Sequence, residues 1–174
     1  MPLFIDGARL GYALTATGND VTLEDIARIA DVFYIGGTKV GAMFGEAVVF
    51  THGNMPKNFV TLVKQHGALL AKGWLLGVQF DTLFTDNLYC RIARRANDAA
   101  DRIREVLVER GYTLTFDAPT NQIFITLDNE TSERLQRSVR LGFMEKADDT
   151  HTVMRICTSW ATTDKQVEQL IALL

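Results

Sequence analysis

Leu3-Phe4-Ile5-Asp6-Gly7-Ala8-Arg9 opens the chain, and Val32-Phe33-Tyr34-Ile35-Gly36-Gly37-Thr38-Lys39-Val40-Gly41 follows it one helix later. Leu3-Phe4-Ile5 is an unbroken apolar run, as expected of a strand covered on both faces. Val32-Phe33-Tyr34-Ile35 is a second such run, and Gly36-Gly37 ends it. Between them, Thr22-Leu23-Glu24-Asp25 reads as an N-cap with an acidic third position. It opens a helix through Ala30, with Ile26, Ile29 and Ala30 as its buried stripe. Strand, helix, strand in this order predicts a right-handed crossover and a parallel pair. Asp6, Arg9 and Lys39 then stand at the C-terminal ends of neighbouring strands, where open α/β sheets bind their ligands.

Further along, residues 47–51 read as a third strand, and His52-Gly53-Asn54 turns the chain. Residues 56–84 look helical and apolar all round, with Val60, Val63, Leu69, Leu70, Leu75, Leu76 and Phe80 leaving little polar face. Such a helix is expected in a core or against a subunit. Residues 87–110 are amphipathic, with Leu88, Ile92, Ala99, Ile103, Val106 and Leu107 on one side and Gly111 at the C′ position. The rhythm then changes to short strands at 113–116, 122–127 and 152–158. Helices are predicted at 132–141 and 164–174, the second opened by a capping box of Thr163 and Gln166. The reading is an α/β fold: residues 1–86 form part of a large domain of parallel strands with crossover helices, and 87–174 form a small α+β domain.

The chain has 174 residues, 47% hydrophobic and 22% charged, which is a globular composition sufficient for one domain or parts of two. A net charge of -3 gives no basic field, so nucleic acid is not an expected partner. Cys90 and Cys157 have no CxxC or Cys/His neighbourhood and read as buried thiols, neither metal ligands nor a disulfide, in a reducing cytoplasm. His52, His66 and His151 are scattered, so no metal site is read from spacing. Asp6 and Arg9 interrupt the apolar start, which argues against a signal peptide. The apolar stretch at 68–80 is broken by Lys72 and Gln79 and is too short to span a membrane.

A carboxylate, a guanidinium and a lysine at one sheet end match the requirements of pyridoxal phosphate. That cofactor takes a lysine for its Schiff base, an acid facing its ring nitrogen and donors around its oxygens. Lys39 is the Schiff-base candidate, and it reacts as the neutral amine, a form that burial and a neighbouring cation favour. Asp6 would face the ring nitrogen. Arg9 would bond the 3′-oxygen or the phosphate, and Thr38 is grouped with these as cofactor-binding. Taken singly, each has an ordinary explanation: a glycine turn for Lys39, an Asp-Gly turn for Asp6, a surface arginine for Arg9. Arg155 lies inside the apolar strand Val153-Met154-Arg155-Ile156-Cys157, where a charge is costly unless paired. Its planar fork suits a substrate carboxylate, and an edge-strand arginine facing water is the alternative.

Phe4-Ile5-Asp6-Gly7-Ala8-Arg9-Leu10 together with Tyr34-Ile35-Gly36-Gly37-Thr38-Lys39-Val40-Gly41 resembles the low-specificity threonine aldolases, of the β-eliminating lyase group of fold-type-I pyridoxal phosphate enzymes. The likeness runs through the whole chain and corresponds to the C-terminal part of such an enzyme. It implies that Asp6 and Arg9 stand at the ring-nitrogen acid and its following arginine, Lys39 at the Schiff-base lysine, and Arg155 at the substrate-carboxylate arginine. It implies cleavage of a β-hydroxy-α-amino acid to glycine and an aldehyde, by a homodimer or homotetramer. Within the same fold the alternatives are β-elimination and transamination, and a non-catalytic fragment is the reading outside enzymes. Members of the family are about twice as long, and the resemblance implies that the phosphate-cradling loop and the ring-stacking aromatic come from the N-terminal half. Since Met1 lies five residues before Asp6, exposed strand edges and apolar faces are expected.

Overall fold

The computed structural model describes residues 1–174. Two sheets are joined by one long helix. In the first sheet the order is β1 (Phe4–Ile5), β2 (Val32–Gly36) and β3 (Glu46–Phe50). β1 and β2 are parallel, as the strand–helix–strand rhythm requires. The crossover contains two helices, α1 (Leu10–Leu14) and α2 (Leu23–Ile29). Thr22 accepts from the Asp25 amide and the Asp25 side chain accepts from the Thr22 amide, so the capping box forms as read. β3 runs antiparallel to β2. Only a short turn through the 3-10 segment Thr38–Val40 connects them, and a parallel return needs a crossover of a dozen or more residues.

The apolar stretch after β3 departs from the single helix expected. It is α3 (Phe59–Gln65) followed by α4 (Trp74–Phe84). Gly67, at φ +71, ends α3 in a Schellman arrangement, with Ala68 N bonded to Val63 O at 2.9 Å and Gly67 N to Lys64 O at 3.0 Å. The hydrophobic pattern continues across this break because both helices are apolar, so periodicity alone did not show it.

The second sheet has the order β4-β5-β7-β6 and is antiparallel throughout: β4 (Thr113–Leu114), β5 (Gln122–Asp128), β6 (Gly142–Lys146) and β7 (His151–Cys157). β6 was not anticipated. It is an exposed edge strand with an irregularity between Phe143 and Glu145, which breaks the alternation that would mark it in sequence. The helix expected at 132–141 lies earlier, as α6 (Asn129–Gln136), because Asp128 at the end of β5 caps it through the Thr131 amide. α7 (Asp164–Leu173) opens with the Thr163–Gln166 capping box.

Helix α5 (Leu88–Glu109) has 22 residues and so extends about 33 Å. Its first half packs Tyr89, Ala93 and Ala96 into one core with Tyr12, Phe33 and Val40. Its second half packs Ala100, Ile103 and Leu107 into another, with Ile123, Ile125 and Met154. Polar bonds from α5 tie in both sheets. The Tyr89 hydroxyl donates to Gly36 O at 2.9 Å and accepts from Gly11 N at 3.0 Å. Asn97 Nδ2 donates to Tyr12 O at 2.9 Å, and Thr158 Oγ1 donates to Ala96 O at 2.6 Å. Tyr89→Phe removes one oxygen that serves two buried backbone groups. The variant is expected to lose about 3 kcal/mol, one unsatisfied buried group costing roughly 1–3, as read by urea unfolding.

Candidate active site

The two parallel strands fix which side chains meet. Phe4 pairs with Val32 and Ile5 with Phe33, so Ile5 and Phe33 face the first core. Asp6 continues the face of Phe4, and Tyr34 continues that of Val32. Both therefore lie on the side of the sheet away from that core. There the Tyr34 hydroxyl donates to Asp6 Oδ1, and the Ala8 amide donates to the same oxygen at 3.0 Å. The Tyr34 bond, then that of the Ala8 amide, hold the Asp6 carboxyl below its ordinary value against the opposing effect of burial, and the charge of Lys39 adds to this. Tyr34 is pushed up to about 12, first by its bond to Asp6 and then by burial.

The strand ends approach closely because glycines allow it. Gly36 N bonds Gly7 O at 2.9 Å. A Cβ on Gly7 would lie 1.6 Å from the Tyr34 carbonyl oxygen, and one on Gly36 would lie 2.6 Å from the Ala8 oxygen. Only bare backbone fits at both positions. The Asp6–Arg9 segment and the Thr38–Val40 turn thus follow neighbouring ends of the parallel strands β1 and β2.

Lys39 is half-buried on its 3-10 turn, and Thr38 beside it is exposed. Several residues that sequence reading passed over hold this turn in place. The buried Tyr12 hydroxyl donates to the Lys39 carbonyl. Glu46 Oε2 accepts from Gly37 N at 3.3 Å. Gln79 on α4 accepts from Met43 N at 2.7 Å and donates to Phe44 O at 3.1 Å. Tyr12 and Tyr34 carried one usable signal, which is that each is an aromatic with a polar tip beside a strand or turn already assigned to ligand binding.

Arg9 stands half-buried at the N-cap position of α1 without a side-chain capping bond, and its Nε is buried without a hydrogen-bond partner. Arg155 stands on β7 opposite Phe124, half-buried, with Nη1 donating to Gln122 Oε1 at 3.2 Å. It borders a cleft of about 440 Å³ between β7 and α7 that Thr158, Thr162 and Gln166 also line. Arg155 bonds none of Asp6, Arg9 or Lys39. Tyr12, whose hydroxyl holds the Lys39 carbonyl, is pushed up to about 12, chiefly by burial. The structure thus places Asp6, Arg9 and Lys39 beyond the C-terminal ends of β1 and β2 and sets Arg155 on the second sheet. No three His, Cys, Asp or Glu side chains gather as a metal site, and no helix is long and apolar enough to cross a membrane.

No family model matches the chain. Two relatives named low specificity L-threonine aldolase do. That of Pseudomonas aeruginosa is 30% identical over 135 residues, which is 77% of this chain and 39% of the relative. That of a Pseudomonas species is 28% identical over 171 residues, 98% of this chain and 49% of the relative. Among solved structures, a Leishmania major threonine aldolase superimposes with a TM-score of 0.95 at 42% identity, covering 99% of this chain and 51% of that one. A Sphingomonas wittichii serine palmitoyltransferase shares the fold alone, with a TM-score of 0.66 at 17% identity over 99% of this chain and 46% of that one. The chain spans about half the length, or less, of the proteins it matches. In sequence and in its fold-type-I α/β architecture, the chain is a relative of the low-specificity threonine aldolases.

Proposed function

We propose that the chain carries the lysine-bearing part of a pyridoxal phosphate-dependent lyase that cleaves β-hydroxy-α-amino acids of the threonine type to glycine and an aldehyde. The observation that carries this reading is that Asp6 and Lys39 each follow the C-terminal end of one of two paired parallel strands, in a chain 42% identical to a threonine aldolase. The residues present fit the cofactor. Asp6 has one carboxylate oxygen free of hydrogen bonds, and Arg9 has a buried nitrogen in need of an acceptor. When bound, the cofactor supplies an electron sink for the pair released as the substrate's Cα–Cβ bond breaks.

The chain's own groups supply the cofactor anchor and the substrate-carboxylate grip. Asp6 holds a proton at the ring nitrogen, Lys39 is the amine that anchors the cofactor, and Arg9 and Thr38 bond its oxygens. Arg155 grips the substrate carboxylate, and Gln122 sets the plane of its guanidinium. With this reading we divide the chain into residues 1–86, which supply the cofactor groups, and 87–174, which supply the carboxylate grip. A reducing, cytoplasmic setting suits the two free thiols Cys90 and Cys157.

The test is to incubate the chain with pyridoxal phosphate, trap with borohydride and map the adduct. Stoichiometric labelling at Lys39, with glycine and an aldehyde formed from threonine, is the expected result. Labelling spread over surface lysines would overturn the reading. Pyruvate with ammonia, or a keto acid, would move it to elimination or transamination.

A homodimer or homotetramer is proposed as well, on the apolar surface left open. Val48 is 50% exposed, Trp74 64% and Val78 52%. These lie on β3 and α4, with Phe4 at the free edge of β1. Open apolar faces and an unpaired strand edge favour association. Sedimentation velocity is expected to show self-association at micromolar concentration, and a monodisperse monomer would refute it.

A further inference from the structure

Asp6 lies one residue beyond β1, is exposed, and so has no packing of its own to orient its carboxylate. Its orientation comes from elsewhere. Oδ1 accepts from two donors, the Tyr34 hydroxyl and the Ala8 amide. Oδ2 accepts from none. The Tyr34 ring is itself held, by β-pairing of its backbone opposite Val48 and by the Phe4 ring, whose centroid lies 6.1 Å away at 37°. A rigid phenol and a main-chain amide together fix both the position and the rotation of the carboxylate.

We propose that Tyr34 is a positioning residue for cofactor binding. By occupying Asp6 Oδ1 together with the Ala8 amide, it presents Oδ2 alone to the protonated ring nitrogen. The inference rests on the function proposed above and deepens it, since Tyr34 touches neither cofactor nor substrate in this role. Electrostatics agree with the geometry. The groups facing the pair are Lys39, which stabilises the Asp6 carboxylate, and Glu46, which opposes ionisation of Tyr34. The phenol therefore stays a donor, and the carboxylate stays charged, throughout the neutral range.

The test uses Tyr34→Phe, which keeps the ring and its contact with Phe4. In the chain labelled with carbon-13 at aspartate carboxyls, Asp6→Asn identifies the Asp6 signal, and its pH midpoint is followed without any cofactor. The wild-type midpoint is expected below the usual carboxylate value, and that of Tyr34→Phe is expected to move up toward it. Pyridoxal phosphate binding, followed by its yellow absorbance, is expected to weaken about tenfold in Tyr34→Phe, the ratio for one well-placed hydrogen bond. An unchanged midpoint overturns the proposal, as does unchanged affinity when the wild type binds. If the wild-type chain takes up no pyridoxal phosphate, the proposed function fails and the positioning role fails with it. A normal wild-type affinity that Tyr34→Phe leaves untouched sinks the positioning role alone.

Discussion

Lys39→Ala is expected to abolish the yellow absorbance that pyridoxal phosphate develops with the chain, and with it detectable lyase turnover, because the amine that anchors the cofactor is gone. The fold should survive. The turn that carries Lys39 is held through main-chain atoms, by Tyr12 on the Lys39 carbonyl and Glu46 on the Gly37 amide, and through Gln79 on its far side. None of these bonds involves the lysine side chain, which also takes part in no ion pair. Thermal unfolding of Lys39→Ala should therefore stay within about 0.5 kcal/mol of wild type. That combination, chemistry lost and stability kept, separates a cofactor-anchoring lysine from one that merely decorates a turn. Full absorbance retained in Lys39→Ala would transfer the role to another lysine, such as Lys64 or Lys72.

Gly7→Ala is expected to do the reverse and damage the fold itself. A methyl group there would lie 1.6 Å from the Tyr34 carbonyl oxygen and 2.8 Å from its carbon, both backbone atoms that cannot rotate away. Relief requires β1 and β2 to part, which breaks the Gly36–Gly7 bond and separates Asp6 from Lys39. Overpacking in a tight core costs about 1–3 kcal/mol and more where backbone must shift. We therefore expect a loss of about 3 kcal/mol or more, on the order of 10 °C in melting temperature for a chain of this size. Gly77→Ala is the control. Its site on α4 has nothing within 4 Å, and alanine there favours the helix by up to about 1 kcal/mol. Equal melting temperatures for Gly7→Ala and wild type would show that the strand ends do not need this contact.

How much of this was open to a reader of residues alone follows from the range over which each feature is set. Both capping boxes, Thr22–Asp25 and Thr163–Gln166, are contained in four residues and form as read. The parallel pair β1–β2 also follows from local signals, since an apolar run, a capped helix and a second apolar run leave few other arrangements. The stripe of α5 was legible in its second half, at Ala99, Ile103 and Leu107. It was not legible in its first, where Tyr89, Ala93 and Ala96 are buried instead of Leu88 and Ile92. Its division between two cores depends on what packs against each half. β6 escaped because its irregular edge lacks alternation. The α3–α4 break escaped because a glycine at positive φ is invisible to hydrophobic periodicity.

In the candidate site the division falls at the same place. Order and residue type along the chain determined that Asp6, Arg9 and Lys39 would stand at strand ends, and that Arg155 would sit within a strand. Only the tertiary structure decided that Tyr34 meets Asp6 across 28 positions, that Tyr12 holds the Lys39 carbonyl across 27, and that Gln122 takes Arg155 across 33. The physical reason is that a strand's period of two assigns a side chain to a face. Which partner it finds there depends on register and on how closely two backbones approach, and here those are set by glycines and by pairing between distant segments.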